Sequence, residues 1–86
     1  MESSMESPAD KSVRFLSQVP AGQTVRLVRI AGGHGLTLRL AGMGLVPNVP
    51  LEVLRNDFRG QIIVQVKNTK IVLGRGMSEK LQVAPL

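Results

Sequence analysis

The chain has 86 residues, enough for one small domain and too few for two separate cores. Apolar residues make up 43% of it, yet there are only two Phe and no Tyr or Trp, so the core must be aliphatic. Cysteine is absent, which excludes disulfides, thiolate metal sites and thiol catalysis, and a formal charge of +5 favours anionic partners.

The charge is unevenly placed. Glu2, Glu6 and Asp10 fall in the first ten residues, and from residue 11 onward 11 basic residues stand against 3 acidic ones, a balance of +8. Residues 1–11 lack hydrophobic periodicity and are rich in Ser and Glu, which predicts a disordered acidic tail ahead of a single domain over 12–86. This start is opposite in character to a basic-then-apolar signal peptide. No later apolar run approaches the roughly 20 residues that cross a bilayer. A cytoplasmic protein with no membrane insertion is expected.

In the domain, Phe15, Leu16 and Val19 are expected to cover one end of the core before a turn at Pro20-Ala21-Gly22. Thr24 to Ile30, aliphatic and β-branched with Arg26 and Arg29 interspersed, predicts a strand. The spacing of Leu36, Leu40 and Met43 at i, i+4 and i+7 predicts a helix over His34 to Met43, with Thr37 and Arg39 facing outward. Gly44 suits a left-handed helix end, and Asn48 suits a positive-φ turn in the proline loop that follows. Leu51–Arg55 and Ile62–Val66 then read as strands, a tight hairpin over Lys67–Lys70 leads into Ile71–Leu73, and Leu81–Val83 follows a helical turn at Met77–Glu79. Five short strands with one helix after the first predict a mostly β fold, a small closed or half-open barrel.

Catalytic constellations are nearly absent. The acids after residue 11 are Glu52, Asp57 and Glu79, each with a plain reading on a strand, in a turn and in a helical turn. With one His and no Cys, neither a hydrolytic triad nor a thiol dyad is supported, and no enzyme is expected. His34 alone is a weak candidate for a metal contact, because first-row metals want clustered imidazole, thiolate or carboxylate. Nucleic-acid binding is the rival suggested by charge. It is disfavoured by the shortage of aromatic platforms and by scattered arginines.

Leu38-Arg39-Leu40-Ala41-Gly42-Met43-Gly44-Leu45-Val46-Pro47-Asn48 resembles the Arg-Leu-x-x-Met-Gly-hydrophobic-x-Pro-Gly signature of the ferrous iron transport protein A (FeoA) family. The stretches Leu16–Gly22, Val28–Ile30, Val64–Gly74 and Leu81–Val83 look like further parts of the same domain. Two positions depart from it: Gly42 stands where the family often has an acid, and Asn48 where Gly is common.

The resemblance implies an SH3-like β-barrel of about five strands with one short inserted helix, a fold that also ends iron-dependent repressors. It further implies a cytosolic, non-enzymatic accessory to ferrous iron uptake, whose partner is a membrane permease with a cytoplasmic GTPase part. Transition-metal binding follows at family level only, and no cofactor is expected from these residues. Leu40, Met43, Gly44, Pro47 and Asn48 would form the structural motif, with Met43 in the core. Arg39, Leu45, Val46, Pro47 and Arg75 would form the partner surface, with Leu45 and Val46 partly exposed.

Overall fold

The computed structural model describes residues 13–86, so the acidic tail expected over 1–11 lies outside the described residues. Six antiparallel strands form one sheet: β1 (Arg14–Phe15), β2 (Thr24–Ile30), β3 (Pro50–Asn56), β4 (Ile62–Val66), β5 (Thr69–Leu73) and β6 (Leu81–Pro85). Their order across the sheet is β1-β6-β2-β3-β4-β5. A 3₁₀ turn over Leu16–Gln18 follows β1, helix α1 (His34–Ala41) follows β2, and a single-turn helix α2 (Arg75–Ser78) joins β5 to β6.

Period-two alternation places one face of each long strand inside. Val25 and Leu27 of β2, Leu51 and Val53 of β3, Ile62, Val64 and Val66 of β4, Ile71 and Leu73 of β5, and Leu81 and Val83 of β6 share one core. All five long strands reach that single cluster, so the sheet curls around it as a small SH3-like barrel. Two β-bulges bend it. The register shifts between Leu27 and Arg29 against β6, and between Val53 and Arg55 against β4, leaving Val28 and Leu54 as the extra residues.

Residues between the strands seal the ends. Leu16 and Val19 are fully buried and cover one end of the barrel as expected, whereas Phe15, expected beside them, stays 36% exposed. The reason is local: β1 is a two-residue edge strand paired only with β6, so its side chains lack a second layer. Ser78 is the buried polar residue among those described, and its hydroxyl donates to the Arg75 carbonyl at 3.0 Å. Three non-glycine residues take positive φ: Asn48 (74°), as expected, and also Phe58 (60°) and Lys67 (56°).

Helix α1 is shorter than expected. It ends at Ala41, and Gly42 and Met43 lie beyond its last residue. Leu40 is its buried anchor, and Leu36, half-buried, packs against the core beside it.

Candidate functional site

The exit from α1 is built by backbone hydrogen bonds. The Gly44 amide donates to Ala41 at 3.0 Å and the Leu45 amide reaches back to Leu40 at 2.9 Å. Gly44 takes φ +92°, the left-handed residue that this pattern requires. Such a turn reverses the chain and brings the next residue onto the apolar side of the helix.

This geometry exchanges two of the sequence assignments. Leu45 is fully buried in the core and has no exposed surface for a partner, while Met43 is 42% exposed and is not a core residue. The i, i+7 spacing projected Met43 along an ideal helix, but the helix has already ended. A hydrophobic residue following a left-handed glycine was the signal for Leu45.

Beyond Leu45 the loop is pinned to β2. The Asn48 amide donates to Leu27 at 2.6 Å, the Leu27 amide donates to Val49 at 2.9 Å, and the Arg26 guanidinium donates to the Asn48 side-chain oxygen at 3.2 Å. Val46 and Pro47 are thereby held on the surface, with Val46 40% exposed. Leu38, on the outer side of α1, is 59% exposed. A short stretch of chain therefore presents Leu38, Met43 and Val46 to solvent, beside the exposed Arg39.

Arg39 also borders a second feature, an open recess of about 480 Å³ between the first turn of α1 and α2. Leu36 and Met77 form its apolar floor, Arg39 and Lys80 its cationic rim, and Gly32, Gly33, Gly35 and Gly76 its bare walls. A Cβ at Gly32 would lie 2.5 Å from Leu36 Cδ2, so the end of the Leu36 side chain would have to turn aside to admit one. At Gly33, Gly35 and Gly76 an added Cβ would meet nothing within 4 Å. Gly35 is the second residue of α1 and Gly76 the second residue of the single-turn α2. Arg75, expected at the partner surface, is exposed but bonded to Glu79 at 2.9 Å, which occupies the one acid on α2 or its end.

A larger hollow of about 570 Å³ is lined by Ala21, Arg55, Asn56, Asp57, Gln61 and Ile63. Its Asn56 amide is already committed to the carbonyls of Ser17 and Val19 at 3.0 and 2.7 Å. Among the described residues no three His, Cys, Asp or Glu side chains gather where they could hold a metal. His34 is an exposed imidazole at the start of α1, so the side chains described do not supply the donor set that a resident transition metal needs. No helix of the described residues is long and apolar enough to cross a membrane.

The sequence comparisons point to one family, and the solved structures that share the fold include its members and metal-dependent repressors. Residues 15–85 match the family model described as FeoA domain. A protein of Methanocaldococcus jannaschii, provisionally named Fe(2+) transport protein A, is 36% identical over 62 residues, covering 72% of this chain and 74% of its own. Among solved structures, an iron uptake regulatory protein (FeoA) superposes with a TM-score of 0.80 at 32% identity, covering 86% of this chain and 99% of that one. A manganese-dependent transcriptional repressor superposes with a TM-score of 0.77 at 26% identity, but the match spans 42% of that longer chain and 86% of this one.

Proposed function

The chain belongs to the FeoA family, whose members serve Fe(2+) transport, and from that premise we propose that it is a non-enzymatic accessory that docks on the cytoplasmic GTPase part of a membrane ferrous-iron permease. The observation that carries this reading is the exposure of Leu38, Met43 and Val46 at 59%, 42% and 40% on α1 and its exit loop. Three exposed apolar side chains on one short helix and its exit loop offer a candidate contact surface. Pro47 stiffens the loop, and its anchoring to β2 through Asn48 means little ordering entropy is lost on binding. Arg39, exposed beside this patch, supplies a cation for an acidic partner surface.

Iron is cargo in this reading and is handled by the permease. The proposal is tested by capturing the isolated GTPase region on immobilised protein. Val46→Asp and Met43→Asp should each weaken capture while the far-ultraviolet spectrum and melting temperature stay those of the parent. Undiminished capture by both folded variants would remove this surface from the interface.

The alternative of a nucleic-acid-binding barrel draws on one observation, that both aromatic residues, Phe15 and Phe58, are exposed. They lie on different elements, β1 and the β3–β4 loop, and the arginines are spread over β1, β2, α1, β3, the β3–β4 loop and α2. Titration with single-stranded oligonucleotides across salt decides it: a steep loss of affinity with salt supports that reading, and no binding at low salt dismisses it.

A further inference from the structure

We infer that the recess between α1 and α2 is a second docking site, one that takes an extended acidic peptide of a partner protein with an aliphatic side chain between its carboxylates. It adjoins the Leu38–Val46 patch, with Arg39 on the border of both, and does not depend on which protein that patch meets.

Charge complementarity supports the acidic partner. Arg39 and Lys80 both line the recess, and neither has a carboxylate within ion-pairing distance among the described residues. The nearest acid in sequence, Glu79, is held by Arg75 at 2.9 Å and does not neutralise them. The floor explains the aliphatic element. Leu36 and Met77 are half-buried and pack on the core, so an apolar side chain entering the recess extends an existing cluster.

The walls explain why the ligand is an extended chain. Gly33, Gly35 and Gly76 take ordinary backbone angles and would tolerate a Cβ without contact, so neither φ nor packing calls for glycine there. What glycine does provide at all three is a bare backbone that another backbone can approach closely. A volume of about 480 Å³ accommodates a few residues in that pose.

The test is an amide-resolved NMR titration of the full chain with the peptide acetyl-Asp-Glu-Leu-Glu-Asp-amide. Shifts are expected to concentrate at Gly33, Gly35, Gly76 and Lys80, and to weaken as salt is raised. Replacing the acids by Asn and Gln, or the central Leu by Gly, should reduce affinity about tenfold or more. Gly76→Leu fills the recess with a good helix former, so it should abolish the shifts while leaving the melting temperature unchanged or higher. Arg39→Glu together with Lys80→Glu gives the same loss by charge alone, should Gly76→Leu perturb the fold. Val46→Asp should leave peptide binding intact, which separates this site from the permease surface. The inference is overturned if the peptide gives no shifts at about 1 mM. Shifts that survive both recess variants overturn it too, as does inorganic phosphate moving the same amides as strongly as the peptide.

Discussion

The amide of Leu45 donates a 2.9 Å hydrogen bond to the carbonyl of Leu40, five residues back, and both side chains are fully buried in the same core. Gly44 stands between them at φ +92°, and its Cβ, if it had one, would meet Val66 Cγ1 at an ordinary 3.8 Å. Space is therefore not the constraint there; backbone conformation is. Gly44→Ala should destabilise the domain by about 1–2 kcal/mol, the strain of a left-handed alanine, with no change in core packing. Urea denaturation with an unchanged slope would show it, and a variant as stable as the parent would mean that the exit turn relaxes to another geometry.

Adjacent positions in this loop should respond in opposite ways. Leu45→Ala opens a cavity under α1 and should cost about 2–5 kcal/mol, a large share of the stability of so small a domain. Val46→Asp and Met43→Gln, on exposed side chains, should stay within about 0.5 kcal/mol of the parent. Thermal melts of the three variants check this. A Val46 substitution as damaging as Leu45→Ala would contradict the exposure on which the proposed docking surface rests.

What the sequence made legible follows from how far each signal reaches. Thr24–Ile30, aliphatic and β-branched, is a strand over those same residues, and Asn48 adopts the positive φ expected of it. Two-residue β1 is too short to carry a period, and the extra residues Val28 and Leu54 look like ordinary strand members until their partners are known. Met43 and Leu45 were exchanged because helical spacing was continued past Ala41, where the Gly44 turn overrides it. The recess was the least visible feature. Gly33 and Gly76 lie 43 positions apart and each reads alone as a turn; only the packing of α2 near the start of α1 brings them together with Arg39 and Lys80.

Lys67 is a strained position that can be relieved. It sits in the two-residue link between Val66 and Thr69, which pair with each other, and takes φ 56° with its side chain exposed. A non-glycine residue held there costs about 1–3 kcal/mol, offset in a Lys67→Gly variant by the extra freedom glycine gains when unfolded. Lys67→Gly should therefore raise stability modestly, by about 0.5–1 kcal/mol. Lys67→Val, β-branched and poorly suited to positive φ, should lower it. The same order in melting temperature confirms the strain. Equal stability of all three would show that the hairpin adapts freely.

Asn56, at the end of β3, ties the β3–β4 loop to the start of the domain. Its side-chain amide donates to Val19 at 2.7 Å and Ser17 at 3.0 Å, and its side-chain oxygen accepts from the Phe58 amide at 2.8 Å. One residue thus satisfies the carbonyls of a segment 37 positions earlier and supports the positive φ of Phe58. Asn56→Ala removes all three bonds at a half-buried site and should cost about 1–3 kcal/mol. At roughly 4–8 °C per kcal/mol for a domain of this size, the melting temperature should fall well outside error. Asn56→Asp is the sharper test. It keeps the acceptor for Phe58 but turns a donor toward two carbonyl oxygens into a carboxylate, so above its titration range it should be at least as damaging as alanine. If Asn56→Asp matched the parent at neutral pH, the hold on Ser17 and Val19 would contribute nothing to stability, and burial of Leu16 and Val19 alone would anchor that segment.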